Sequence, residues 1–235
     1  MKWILTIIFF QLLFGTNYPQ EDDIKNNSFY YPHILESGAY IHSLGLTTAN
    51  LPEDIVESDD EFRAPLFSYK AKFGLPENIL LEGGLSTNLI TLNISLGSKW
   101  TYEFNNLSLS VGGDAAFFIG ALDQFDFKTK IRGWMAYPNL SLGYCFPNFS
   151  VTVKSDLILV FDQTAKTGNI EVTSDFKTIS GFSVGVFIEQ PLWKNNFFVM
   201  GIKANFTRFY YPMWITFSTF DRPFFIPEAI FSINL

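Results

Sequence analysis

The chain has 235 residues, of which 48 % are hydrophobic, 18 % aromatic and only 17 % charged, with 27 phenylalanines and a net charge of −7. The charged fraction lies below the ~25 % of soluble domains, and an acidic chain lacks the basic face that a phosphate backbone requires, which excludes nucleic acid as a partner. A single cysteine, Cys145, excludes an intramolecular disulfide, and two histidines, His33 and His42, supply no zinc cluster, so neither a metal nor a cofactor is expected.

In chain order, Lys2 precedes an apolar run over residues 3–14 that only Thr6 and Gln11 interrupt, and Gly15, Thr16 and Asn17 follow it. This reads as a cleaved signal peptide over residues 1–17. The run is shorter than the ~20 residues of a membrane-spanning helix. Residues 18–36 are expected to form an N-terminal periplasmic segment, and residues 37–235 a single outer-membrane domain.

From there on the period is two. Ile90, Leu92, Ile94 and Leu96 alternate with Thr91, Asn93, Ser95 and Gly97. Phe182, Val184, Val186 and Ile188 stand out in the same way, as do Met200, Ile202, Ala204 and Phe206. Such alternation predicts strands with one apolar and one polar face. Ten are expected, near 37–47, 66–74, 78–86, 89–98, 106–118, 133–146, 149–161, 179–190, 196–208 and 225–235.

The polar face is made of Ser, Thr, Asn and Gly, which suits a narrow lumen better than a solvated surface rich in Lys and Glu. Long connections are expected at 48–65, 119–132, 162–178 and 209–224, and short ones at 75–77, 99–105, 147–148 and 191–195. Only the 87–88 link breaks this order of long and short. Long external loops, short periplasmic turns and an even strand number are the pattern of an antiparallel up-and-down transmembrane β-barrel, all-β, here of about 10 strands (8–12).

Strand phase places Lys70, Lys72, Glu82, Asp114, Lys154, Asp156, Glu189 and Lys203 toward the lumen, where equal numbers of acids and bases favour mutual pairing over an ion path. Trp100, Tyr102, Trp134, Trp193, Tyr210, Tyr211 and Trp214 fall near strand ends and are expected at the two membrane interfaces. The acidic stretch 53–61 reads as a solvated loop, since it lacks the spacing of a calcium loop. His42, with Asp114 and Asp156 as conceivable partners, is the one constellation that suggests a membrane-embedded hydrolase; with no signature around it, an enzyme is not expected.

The last segment, Ala229-Ile230-Phe231-Ser232-Ile233-Asn234-Leu235, resembles the C-terminal strand of bacterial outer-membrane barrels, although that family usually ends in an aromatic residue and this chain ends in Leu235. The stretch Lys72-Phe73-Gly74-Leu75-Pro76-Glu77-Asn78-Ile79 looks like uncharacterised Gram-negative barrels of that kind. The resemblance implies outer-membrane lipids as surroundings and the barrel-assembly machinery as a partner for strand 229–235. The function expected is that of an outer-membrane barrel with a narrow or plugged lumen, in passive transport of small or apolar molecules or in envelope structure. Besides the hydrolase, the alternative is a soluble secreted barrel with its apolar face turned inward on a ligand.

Overall fold

The computed structural model describes residues 21–52, 63–124, 127–168, 170–172, 178–193, 196–216 and 222–235. The signal peptide expected at 1–17 and the acidic stretch 53–61 lie outside the described residues. Past a short helix, α1 (Glu21–Asn27), the chain is built of antiparallel strands: β1 (Tyr40–Asn50), β2 (Arg63–Leu75), β3 (Ile79–Thr87), β4 (Thr91–Phe104), β5 (Leu107–Gln124), β6 (Phe127–Cys145), β7 (Ser150–Thr167), the short β8 (Ile170–Val172), β9 (Ile179–Trp193), β10 (Asn196–Thr207) and β11 (Phe224–Asn234). β8 pairs only with the end of β7, so the wall consists of the other ten strands.

The ring closes between the first and last strands. Ser43 pairs with Asn234 and the register runs to Ala49 opposite Glu228. The last residue takes part: the Leu235 N–H donates to the His42 carbonyl at 2.9 Å. Both ends of the barrel wall and the links 76–78, 105–106 and 146–149 gather at one rim, the short-turn end. The opposite rim is the loop end.

Alternation decides which side chains face outward. On β4, Leu96 is 59 % exposed, and Ile94, Trp100 and Tyr102 are exposed with it, whereas Asn93, Lys99 and Thr101 are buried. Phe182, Val184, Val186 and Ile188 of β9 and Ile202 and Phe206 of β10 are likewise exposed. An apolar surface that encircles the molecule is stable only against lipid. The polarity is the reverse of what a soluble barrel with an apolar interior needs, so that alternative is overturned.

Two connections differ from expectation. The stretch 99–105 is strand to Phe104 and turns at Asn105, whose φ of 54° an asparagine tolerates. The stretch 119–132 is not a long loop: β5 and β6 run to within two residues of each other, with 18 and 19 residues. The period was masked there because the faces exchange polarity above the lipid. Phe118 and Ile131 point inward, while Lys130 and Arg132 point outward.

The segment expected before the barrel lies within it. Phe29, Tyr31, His33 and Leu35 are buried. Gly143 makes room for them, since a Cβ at that position would come within 2.6 Å of the Tyr31 ring and of Pro32.

Leu96 sits mid-strand on the lipid face, so Leu96→Arg is expected to destabilise the folded barrel by about 2–4 kcal/mol. Urea titration of the protein folded into vesicles measures this, with Ser98→Arg, near the lower part of the same face, expected to cost less.

Candidate functional site

The interior is stacked in three levels. At the short-turn end the N-terminal segment forms a plug. Glu189 of β9 is fully buried, and its carboxylate accepts three successive backbone N–H groups, from Phe29 (2.6 Å), Tyr30 (2.9 Å) and Tyr31 (2.6 Å), together with the Asn234 side-chain amide at 3.0 Å. Successive N–H groups aimed at one point make an anion-binding concavity, and here the anion belongs to the wall. Each hydrogen bond to a charged acceptor contributes about 1.5–3 kcal/mol.

Other wall groups complete the hold. Lys72 donates to the Phe29 carbonyl, Ser108 to the Pro32 carbonyl, and Glu103 accepts the Ile34 N–H. Lys70 donates to the Tyr30 hydroxyl at 3.2 Å, and the Tyr30 ring stacks on Phe187 with centroids 4.0 Å apart. Beneath, Ile24 and Tyr31 pack on Cys145 and Phe197, and Phe29 and Leu35 pack on Ile41 and Leu80. Cys145 thus serves as a small buried apolar residue.

The plug carries the one histidine inside the barrel. His33 Nδ1 lies 3.1 Å from the Tyr31 carbonyl, and Nε2 is buried with no hydrogen-bond partner among the described residues. Burial first, and then the nearby Lys72 ammonium, lowers the imidazole pKa to about 4.

Above the plug lies a chamber of about 180 Å³ lined by Lys70, Glu82, Asp114, Lys154, Asp156, Lys203 and Glu228, among others. Its charged groups have partners. Asp156 receives Lys154 at 3.0 Å, Lys203 at 3.4 Å and the Ser183 hydroxyl at 3.0 Å. Glu82 pairs with Lys99, and Asp114 accepts the Asn139 amide at 2.8 Å. Lys72 and Glu189 belong to the plug level below. The matching follows from confinement, because a charge shut away from water needs a partner.

The third level is apolar. The segment after β10 folds back over the mouth, where Phe209, Tyr210 and Trp214 pack with Phe118, Ile131, Met135, Val160 and Ile226. The Tyr210 hydroxyl donates to Glu228 at 2.8 Å, and Asn88 ties the roof to the β3–β4 hairpin through the Pro212 carbonyl at 2.6 Å.

The aromatic set expected at the interfaces therefore divides. Trp100, Tyr102, Trp134 and Trp193 are exposed on the outer wall. Tyr210, Tyr211 and Trp214 are not interfacial and require correction: Tyr210 and Trp214 are buried and Tyr211 lines the chamber. They belong to a returning loop, where sequence distance from a strand end says nothing of direction. His42 stands on the outer face, its Nδ1 3.2 Å from the Tyr69 hydroxyl, whereas Asp114 and Asp156 line the chamber inside. The wall separates them, so the hydrolase constellation is not assembled.

Lys99, Glu103 and Glu228 were missed among the interior charges. The signal was present, since Lys99 and Glu103 share the phase of Asn93, and Glu228 that of Ser232 and Asn234. No group of three His, Cys, Asp or Glu among the described residues is placed to hold a metal.

No family model matches the chain, and neither does any curated protein. Among solved structures it is similar to the translocator domain of the autotransporter NalP from Neisseria meningitidis, at 11 % identity over 83 % of this chain and 87 % of that one, with a TM-score of 0.44. It is also similar to an outer-membrane channel from Pseudomonas putida, at 7 % identity over 86 % and 97 % of the two chains, with a TM-score of 0.40. The outer-membrane phospholipase A from Escherichia coli is similar at 10 % identity over 92 % and 98 %, with a TM-score of 0.37.

Removing the chamber's shared carboxylate by Asp156→Ala leaves Lys154 and Lys203 without their counter-charge and is expected to lower stability by about 3 kcal/mol. Asp123→Ala, which removes an exposed pair with Lys128 at 3.4 Å, is expected to change it by less than about 1 kcal/mol. Urea unfolding of both variants measures the contrast. The plug has its own pH dependence. His33 is held below its ordinary value of 6.5, so the buried neutral form contributes stability above pH 6.5 that is lost as pH falls toward 4. Hydrogen exchange over residues 28–36 is expected to speed up in that window beyond the change in intrinsic rate, and His33→Gln to flatten the response.

Proposed function

We propose that this barrel stands in the outer membrane, closed at rest, and serves as a gated passage for small polar solutes. The apolar outer wall supports the setting. The observation that carries the reading is the plug: a segment of the chain's own N-terminus occupies the short-turn end, and its hold converges on one buried carboxylate, Glu189. Backbone groups bound to a single side chain release together when that side chain is lost, which suits a removable stopper.

The chamber favours polar cargo. Its acids and bases let a zwitterion or a small hydrogen-bonding solute exchange hydrogen-bond partners there, whereas an apolar molecule would gain nothing. An open porin is not the reading, because ten strands enclose little space beyond their own side chains. In this reading the signal at 1–17 supplies export, and the strand 229–235, paired on both edges, is the segment offered to the assembly machinery.

Conductance across a planar bilayer tests the passage. The wild-type protein is expected to give few and small steps. A variant lacking residues 21–36 and carrying Trp214→Ala in the roof is expected to give stable steps, and Glu189→Ala an intermediate opening frequency. If the doubly altered protein still shows the gel shift of a folded barrel yet remains silent, the gated passage is excluded and the barrel is an element of envelope structure.

A further inference from the structure

The outer face of the tall β5–β7 wall changes character near the loop end. Phe117 and Trp134 form a lipid-facing ring pair with centroids 4.8 Å apart. Arg132 and Lys130 follow Trp134 on the same face of β6, two and four residues nearer the rim. At about 3.3 Å per residue they stand roughly 7 and 13 Å along the strand beyond the rings, the level of lipid headgroups when the aromatics mark the interface.

A groove of about 630 Å³ opens at this level. One wall carries Lys130, Arg132 and Lys166; the other carries Leu89, Ile90 and Leu92 of the low β3–β4 hairpin together with Ile119. Gly120 and Ala121 lie between the walls, and no carboxylate is among the described side chains that line the groove.

The strand register makes the cationic wall unusual. Lys130 faces Ala121 on β5 and Lys166 on β7, and Arg132 faces Ile119 and Thr164. Like charges directly opposite each other weaken a ladder. In register Glu171 is opposite Lys166 and Asp162 is opposite Trp134. A cationic groove on a chain of net charge −7 is complementary to an anion. The apolar wall is equally out of place for a barrel rim: Leu89 is 89 % exposed and held at φ 76°, where a bulky side chain is rarely found.

We infer that this groove binds a phosphorylated, acylated amphiphile of the outer leaflet, with its phosphate between Lys130 and Arg132 and an acyl chain along Leu89, Ile90 and Ile119. The two walls are needed together for such a molecule, and a free anion would use only one. The inference rests on the outer-membrane reading with the loop end outside, and it is independent of any passage through the lumen, because the groove is on the other side of the wall.

The test is titration of the full chain, folded in detergent, with bisphosphorylated lipid A, its dephosphorylated form and inorganic phosphate, followed by native mass spectrometry. The bisphosphorylated form is expected to bind at least tenfold more tightly than the dephosphorylated one, with no retention of inorganic phosphate. The double variant Lys130→Ala and Arg132→Ala is expected to lose at least tenfold. Leu89→Ser, at an exposed turn, is expected to weaken the lipid severalfold. Lys128→Ala, outside the groove, is expected to leave binding unchanged. Equal binding of both lipid forms, an unchanged double variant, or capture of inorganic phosphate as strong as that of the lipid overturns the proposal. Conductance of the unlocked barrel tells failure here apart from failure of the gated passage.

Discussion

The structure depends on the closure of the sheet between β1 and β11. In hydrocarbon no water is available to a free N–H or C=O, so a sheet edge cannot be left open. Every backbone group on both edges must find a strand, and the chain meets this requirement to its last residue, with Leu235 bonded to His42. Closure with ten strands sets the radius, and the radius in turn decides that the interior is filled largely by the protein itself.

Filling a narrow lumen creates an electrostatic problem that the interior solves level by level. In the middle, one aspartate serves two lysines, Lys154 and Lys203, and a glutamate serves Lys99. At the short-turn end a carboxylate has no lysine at hydrogen-bonding distance among the described residues. Glu189 is satisfied instead by backbone N–H groups of the plug, which orders the segment while burying the charge. At the loop end the returning loop covers the mouth with rings. The same chain therefore supplies the wall, the stopper and the roof, and a function in passage has to involve movement of the latter two.

The outer surface follows the complementary rule. Where the wall is in lipid, the apolar side chains point out. Where β5–β7 rise beyond it, the outward positions become Lys130, Arg132 and Lys166, and the inward ones become Phe118 and Ile131. The exchange marks the membrane boundary on the molecule, and the cationic groove lies along that boundary.

The sequence by itself determined the ten strands, the two faces of each and the inward set from Lys70 to Lys203, because alternation with period two is local and each strand carries it independently. It also held the clue to Lys99, Glu103 and Glu228, which share the phase of the inward residues on β4 and β11. The length of the β5–β6 hairpin was hidden for a different reason, since the faces exchange polarity at the lipid boundary and the apolar-outward pattern ends before the strand does. Only the tertiary structure decided the rest. Glu189 meets Phe29 across 160 residues, and Trp214 and Tyr210 turn inward because the loop returns. His42 is parted from Asp114 and Asp156 by the thickness of the wall. Contacts of this kind arise from closure of the ring, and no periodicity along the chain encodes which side chains a closed ring brings together.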